Sequence, residues 1–203
     1  NVIYGGATGI AAEIDGKNLS VKGNVIVIPD DLDAGEYKLT VTTVPDSNHE
    51  AVSKQATVTV NKMETEILAQ NIKTTYNVDR KLTITLKDSE NKAIAGEKIT
   101  VNINGEKTYT TDKNGQVQIS TKGLASDTYQ AKIAFDGSAN YKNSAKNISI
   151  TVKKATPKLT AKNKTFKSGD KTKKYSISLK DNLGKPMKNV WVKLTIAKTT
   201  YTT

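Results

Sequence analysis

The chain repeats itself with a period of about 92 residues. Residues 39–62 align with residues 131–154 at a constant offset of 92 and without a gap. Residues 82–103 align with residues 175–196 in the same way, at an offset of 93. Self-similarity at a fixed period indicates one structural unit that recurs along the chain. Any fold proposed for this sequence must therefore be built from such units.

The alignments predict three units. Residues 63–154 form one complete repeat. Residues 1–62 hold the C-terminal part of another copy and lack its N-terminal strands, whereas residues 155–203 hold the N-terminal part of a third and lack its C-terminal strands. Almost no linker separates them, so we expect the units to stack end to end, at about 40 Å each. The start of the chain carries no signal-peptide pattern, and we expect the chain to be an excerpt of a longer protein.

Apolar and polar residues alternate within the complete repeat, which is typical of strands with one buried face. The alternating runs are Leu82, Ile84 and Leu86; Ile99, Val101 and Ile103; Val117 and Ile119; Ile133 and Phe135; and Ile148, Ile150 and Val152. Turn signals such as Asn104-Gly105 and Asp136-Gly137 separate the runs. About seven short strands in a unit of this length indicate an immunoglobulin-like sandwich. The predicted fold class is all-β, with tandem immunoglobulin-like β-sandwich domains in a linear array and no long helix.

Two tyrosines support this sandwich. Tyr37 and Tyr129 lie at equivalent positions of two copies, and each begins a strand after a tight loop. A tyrosine corner occupies this place in immunoglobulin-like domains, where its phenol bonds back to the upstream backbone. We expect a structural role for both side chains.

The composition argues against an enzyme. The chain has no cysteine and a single histidine, His49, so thiolate metal sites and cysteine nucleophiles are excluded. We interpret His49 as a solvated loop residue. We predict no catalytic residue, no cofactor and no metal site.

One acidic group leaves an alternative open. It consists of Asp30, Asp31, Asp33 and Glu36. Such a group could hold calcium, because hard cations prefer several oxygen ligands. The equivalent positions of the second copy are not acidic, which favours a solvated acidic turn.

The formal net charge is +11, and it is unevenly distributed. Residues 1–62 carry 5 basic and 8 acidic groups, whereas residues 155–203 carry 12 and 2. Arg80 is the single arginine and aromatic residues make up 5% of the chain, so we expect no nucleic-acid partner. We expect no membrane insertion in this segment, because it has no apolar run of about 18 residues. The lysines indicate a solvated surface or, alternatively, attraction to an anionic wall polymer or acidic glycan.

Short motifs add a family resemblance. They are Ala7-Thr8-Gly9, Asp15-Gly16, Leu32-Asp33-Ala34-Gly35-Glu36-Tyr37 and Asp136-Gly137-Ser138-Ala139-Asn140-Tyr141. Together they resemble the immunoglobulin-like repeats of prokaryotic surface adhesins, in particular the adhesin-like proteins of methanogenic archaea. The first copy departs from the last motif at residues 45–49.

The resemblance implies an extracellular, cell-surface protein in which many such domains follow one another. Its implied function is a structural stalk or spacer that projects a binding tip or mediates cell adhesion. The expected partners are neighbouring repeats of the same chain, and a cell-surface glycan or another cell.

Trp191 is the candidate for ligand contact. The alignment places it at the position of Lys98, on the outer face of its strand and close to Lys188 and Lys193. An exposed tryptophan among lysines could stack on a sugar or a partner chain, which gives the alternative function of a glycan- or wall-polymer-binding module. The other interpretation is that a neighbouring loop covers it.

Two further expectations concern modification and assembly. Asn18, Asn147 and Asn163 lie in Asn-x-Ser/Thr sequences and are candidates for glycosylation. Residues 155–203 hold the early strands that residues 1–62 lack, so the chain could also self-associate as the subunit of a strand-complemented extracellular filament.

Overall fold

A computed structural model describes residues 9–202 of the chain. Ala7 and Thr8 of the first adhesin-like motif lie outside this range. The described residues form strands, turns and loops, with no helix among them. Accordingly, they include no helical segment with the length and apolar character needed to cross a membrane.

The first unit is built on one antiparallel four-stranded sheet. Its strands run in the order β2-β1-β5-β6, and β3 and β4 form a separate hairpin. Asp15 and Gly16 both have positive φ and close a two-residue turn between β1 and β2. The strands are β1 (Ile10–Ile14), β2 (Lys17–Asn18), β3 (Ser20–Lys22), β4 (Val25–Val27), β5 (Gly35–Thr43) and β6 (Ser53–Val60).

The second unit contains two sheets. Its strands are β7 (Thr65–Leu68), β8 (Ile72–Thr75), β9 (Lys81–Asp88), β10 (Lys98–Asn102), β11 (Glu106–Thr110), β12 (Gln116–Ser120), β13 (Thr128–Phe135) and β14 (Ser144–Lys153). One sheet has the order β11-β10-β13-β14-β8 and the other β12-β9-β7. All neighbours are antiparallel except β8 and β14, which run parallel.

The two sheets of this unit share one apolar core. Leu82, Ile84 and Leu86 of β9 face residues of β10, β13 and β14, and together they form a cluster that extends from Ile67 to Val152. Phe135, Ile99, Ile133 and Ile150 are among its fully buried side chains. Burial of alternate residues from both sheets makes this unit a β-sandwich of the immunoglobulin type. The predicted all-β sandwich fold is confirmed.

The last unit consists of two hairpins. Its strands are β15 (Lys158–Ala161), β16 (Ile177–Lys180), β17 (Lys193–Ile196) and β18 (Thr199–Thr202). β15 pairs with β16, and β17 pairs with β18. Ile196 takes an inward position in the sequence alignment but is 57% exposed in the β17–β18 hairpin.

The repeat extends to the register of strand pairing. Leu39 opposes Ala56 in the first unit, and Ala131 opposes Ile148, each 92 positions later, in the second. Ile67 opposes Leu86 in the second unit, and Leu159 opposes Leu179, 92 and 93 positions later, in the third. The domain limits predicted from the sequence, 1–62, 63–154 and 155–203, stay predictions.

Strand β8 is the main feature that the apolar pattern did not indicate. The second unit has eight strands rather than about seven. β8 has one apolar residue, Ile72, followed by Lys73 and two threonines, so it has no alternation to detect. It is placed by its parallel pairing with β14.

Candidate functional site

The junction between the first two units is the most highly organised polar site between repeats. β6 ends at Val60 and β7 begins at Thr65, which leaves four residues, 61–64, to connect them. The loop between β4 and β5 of the first unit meets the loop between β13 and β14 of the second at this point. A connection this short restricts the relative motion of two domains.

Asn140 bridges the two units with its side chain. Its Oδ1 accepts a hydrogen bond from the backbone N–H of Ala34 at 2.7 Å, and this contact is partly buried. Its Nδ2 donates to Oδ1 of Asp33 at 2.6 Å. Donor and acceptor of one amide group are thus both used across the junction, which fixes its orientation.

The connecting segment itself is held by the same loop. The backbone N–H of Met63 donates to the carbonyl of Asn140 at 2.8 Å, and the carbonyl of Met63 accepts from the N–H of Lys142 at 2.8 Å. Lys62 Nζ donates to the carbonyl of Ser138 at 2.8 Å. Lys142 also forms an ion pair with Glu64. Backbone pairing of this kind removes rotational freedom from the linker.

Asp33 is held by hydrogen bonds to its backbone carbonyl and to its side-chain carboxylate. The Tyr37 hydroxyl donates to the Asp33 carbonyl at 2.7 Å, while the Asp33 carboxylate accepts from Asn140. Tyr129 makes the equivalent bond to the carbonyl of Ala125 at 3.1 Å. Both predicted tyrosine corners are confirmed, and the first of them also shapes the junction.

The acidic turn around Asp33 takes part in this contact through one carboxylate. Among residues 9–202 no group of three or more histidine, cysteine, aspartate and glutamate side chains is arranged to hold a metal ion.

His49 lies in the loop of the first unit that is equivalent to the Asn140 loop. The backbone N–H of Asp46 donates to the carbonyl of His49 at 3.1 Å, as that of Ser138 does to Tyr141 at 3.0 Å. The turn is therefore kept although residues 45–49 depart from the adhesin-like motif.

The His49 ring pairs with a nearby carboxylate. His49 Nδ1 lies 2.9 Å from Oδ1 of Asp46 and is largely exposed. The pKa of Asp46 is lowered, first by the backbone N–H of Asn48 and then by the His49 side chain. These contacts stabilise a solvated turn.

A cavity of about 380 Å³ lies between the second and third units. Here again four residues, 154–157, connect β14 to β15. Asn182 Nδ2 donates to the carbonyl of Tyr76 at 3.2 Å across the junction. The cavity is lined by Tyr76, Asn77, Ala125, Ser126, Lys154, Ala155, Pro157, Asp181, Asn182 and Met187. Its walls include Ala125 and Ser126, which are equivalent to Asp33 and Ala34 at the first junction.

Trp191 is 80% exposed and lies two residues before β17. Lys188 and Lys193 are also exposed. The structure therefore leaves the indole and its neighbouring cations on the surface.

The three candidate glycosylation asparagines are exposed. Asn18 lies in β2 and Asn147 in β14, whereas Asn163 follows β15 in a loop. Their modification stays a prediction.

The bridging role of Asn140 was not predicted from the sequence. The available signal was the recurrence of asparagine at positions 48 and 140, at the offset of 92. A recurring polar residue in a loop indicates a repeated contact, but its partner in another unit is visible only once the units are placed.

No protein-family model matches the chain, and no curated protein matches it in sequence. Among solved structures, a chimeric titin Z1Z2 tandem is similar at 8% identity and a TM-score of 0.35, over 71% of this chain and 84% of that chain. Fibronectin(III)-like modules of Clostridium thermocellum CbhA are similar at 12% identity and a TM-score of 0.34, over 71% and 77%. Domains 1–6 of the surface layer protein SbsC are similar at 15% identity and a TM-score of 0.36, over 97% and 29%. Because these sequence identities and TM-scores are low, the assignment of the fold rests on the sheets and the core described above.

Proposed function

We propose that the chain is a structural, non-enzymatic stalk or spacer segment of an extracellular, cell-surface adhesin-like protein. The observation that supports this function is the Asn140 bridge between successive units. Neighbouring repeats of the same chain are the partners that such a segment needs.

The physical argument is that a spacer must keep its units in line. A linker of four residues between stable domains already limits their separation. The Asn140 bridge and the Met63 backbone pairing add restraints on their relative rotation. Units held in this way can carry a distal binding domain away from a surface, which a flexible chain of the same length does less effectively.

The adhesin-like motifs support the cell-surface location. Residues of these motifs form the junction itself, since Asp33 belongs to one motif and Asn140 to another. The motifs are thereby connected to a mechanical purpose rather than to a reactive centre.

Surface labelling tests the proposal. Antibodies raised against the 203-residue chain should label intact, unpermeabilised cells of the source organism, and brief external protease treatment should remove the label. Antibodies against a cytoplasmic protein of the same cells serve as the control. Labelling that requires permeabilisation would contradict a surface location.

Exposure of Trp191 favours a second candidate, a glycan- or wall-polymer-binding module. A largely exposed indole can stack on a sugar face, and Lys188 and Lys193 supply cations for acidic groups. Retention of the chain on wall polysaccharide, with loss of retention on added salt, is the expected behaviour.

Matched variants separate this candidate from non-specific attraction. Trp191→Ala should weaken retention by about tenfold, because stacking contributes about 1–3 kcal/mol in related aromatic platforms. Lys171→Gln removes one charge from the same unit and should have a smaller effect. Equal losses of retention in both variants would show that general electrostatic attraction, and not stacking on Trp191, holds the chain on the polysaccharide.

A further inference from the structure

We propose that the complete unit binds an extended acidic peptide segment of a partner protein at the bare edge of β9, beside Lys81 and Thr83. The peptide would continue the pairing that β7 begins, as an added strand of the β12-β9-β7 sheet. Addition of a strand to an open sheet edge is an established mode of peptide recognition. The site lies inside the complete unit, and the proposal does not depend on a stalk function.

The edge is bare because β7 leaves β9 early. The pairing of β7 with β9 ends at Leu68 and Thr85. Residues 69–71 then cross to the other sheet, where β8 pairs with β14. β9 itself extends back to Lys81 and is paired with β12 along its other edge. The stretch from Lys81 to Thr83 therefore has a neighbouring strand on one side only.

The backbone groups of Lys81 and Thr83 point to this open edge. The carbonyl of Arg80 accepts from the N–H of Thr121, next to β12. Successive residues of a strand direct their N–H and C=O groups to opposite edges, so Lys81 and Thr83 face away from β12. Among residues 9–202 no backbone group pairs with theirs on this side. Both residues can thus donate and accept one hydrogen bond each to an added strand.

The crossing segment closes the corresponding gap in the other sheet. The first pair of β8 with β14 joins Ile72 and Ile150. Just before it, Asn71 Oδ1 accepts from the backbone N–H of Ser149 at 2.8 Å. A side chain thereby satisfies the donor of β14 that lies beyond the pairing with β8. The described part of the chain supplies no such contact to Thr83, so the crossing leaves the β9 edge open.

A groove of about 310 Å³ follows this edge. Its lining includes Leu68, Gln70, Ile72 and Leu82, of which Ile72 and Leu82 are buried core residues. Side chains that oppose each other on paired strands lie on the same face of the sheet. The peptide residue opposite Leu82 would therefore point inward, and its neighbours would point to solvent. The groove selects an apolar side chain at that central position.

The charge of the groove favours an acidic peptide. Arg80 and Lys81 line it, and its lining includes no acidic residue. Asp79 lies nearby and is paired with Lys81 at 3.3 Å, whereas Arg80 forms no ion pair among residues 9–202. A carboxylate opposite Lys81 would lie beside both cations. The net charge of +11 on the chain disfavours a second copy as the occupant.

Hydrogen exchange followed by NMR on the isotope-labelled full chain tests the site. The probe is the acetylated and amidated peptide Ser-Thr-Val-Glu-Ile-Asp, which can place its valine opposite Leu82 and its glutamate opposite Lys81. Without peptide, the Lys81 and Thr83 amides should exchange faster than those of Leu82 and Ile84, which face β12. Peptide at ten times its dissociation constant should slow both by about tenfold. A protected Thr83 amide in the free chain, or no saturable effect of the peptide, would overturn the proposal.

Matched proline variants test the edge. Thr83→Pro removes one donor and places a ring on the open edge, where proline is tolerated, and it should weaken binding by about tenfold or more. Gln118 opposes Thr83 in the pair with β12, so its N–H points to the outer edge of β12. Gln118→Pro is therefore the control and should bind the peptide normally. Equal losses in the two variants would exclude the β9 edge.

Modified peptides give a second test that does not depend on folding of a variant. N-methylation of the glutamate amide removes the donor to the carbonyl of Lys81 and should weaken binding about fivefold. N-methylation of the valine amide, which points away from β9 in this register, should have little effect. The opposite ranking of the two peptides would contradict the proposed pairing.

Charge variants test the acidic character of the occupant. Arg80→Gln should weaken binding of the peptide by about two- to fivefold. Lys107→Gln removes the same charge from β11 and should leave binding unchanged. Replacement of both acidic residues of the peptide by lysine should weaken binding further. Equal binding of the acidic and the lysine peptide would refute an acidic partner.

Discussion

The side-chain amide of Asn140 donates a 2.6 Å hydrogen bond to the carboxylate of Asp33, which lies 107 positions earlier and in a different repeat unit. The same amide group accepts from the backbone of Ala34. A contact between two loops thus joins two repeat units on either side of a four-residue connection.

Replacement of Asn140 by alanine should loosen this junction. The variant leaves the Ala34 N–H and the Asp33 carboxylate without their partner, while the backbone contacts of Met63 remain. Spin labels at Lys54→Cys and Lys107→Cys, on β6 and β11, would report the separation of the two units by pulsed electron paramagnetic resonance. We expect a broader distance distribution in Asn140→Ala than in the natural sequence. Asn104→Ala, in a turn within the second unit, should keep the narrow distribution.

Truncation of a core side chain in the complete unit should destabilise the protein far more than truncation of the equivalent side chain in the last unit. Ile84 is fully buried, so Ile84→Ala should lower the free energy of unfolding by about 2–5 kcal/mol. Ile177→Ala, 93 positions later, should lower it by less than about 1 kcal/mol, because Ile177 is 38% exposed. Urea unfolding followed by circular dichroism measures both. Equal losses would show that the last unit has its own closed core.

Alanine substitutions at two glycines distinguish the cost of backbone strain from the cost of a steric clash. Gly96 and Gly115 both have positive φ, but a Cβ at Gly96 would meet nothing within 4 Å, whereas a Cβ at Gly115 would lie 2.6 Å from the carbonyl oxygen of Leu86. Gly96→Ala should lower the free energy of unfolding by about 1 kcal/mol through strain alone. Gly115→Ala should lower it by at least about 1 kcal/mol more, because backbone atoms must move. Thermal or urea unfolding of the pair gives the difference, and equal effects would exclude the clash.

Ser120 should control the titration of Asp79. The pKa of Asp79 is lowered from 3.8, first by the hydrogen bond from the Ser120 hydroxyl and also by Lys81. A carboxyl group with a lowered folded-state pKa stabilises the fold above its unfolded pKa and loses this contribution as the pH falls through the folded value.

Ser120→Ala should therefore shift the Asp79 midpoint upward, toward 3.8. Because Asp79 then contributes less to stability above pH 3.8, Ser120→Ala should also lose less free energy of unfolding than the natural chain when the pH falls below 3.8. Carbon-detected NMR titration of the carboxyl group measures the midpoint, and Ser89→Ala is the matched control. An unchanged midpoint in Ser120→Ala would assign the lowered pKa to another group.

Strands with alternating apolar residues could be predicted because burial of one face leaves a period of two in the sequence. Ile99 and Val101 of β10, and Ile148 and Ile150 of β14, follow this rule and are buried. β8 and β11 could not be singled out in this way, because β8 contains a single apolar residue and β11 has only Tyr109. Hydrogen bonding to a neighbouring strand places both.

The tyrosine corners could also be predicted, because the bond from each tyrosine reaches back only four residues. The Asn140 bridge could not, because its partners lie more than a hundred positions away. Exposure of Trp191 agrees with its outward position in the alignment.

Sequence alone determined the repeat, the strand pattern of the complete unit and the local turns, since each depends on residues close together in the chain or on burial of alternate side chains. Tertiary structure decided which loops meet at the junctions, such as those that hold Asp33 and Asn140. The physical reason is that contacts between units depend on the positions of whole sandwiches, and these positions leave no period in the sequence.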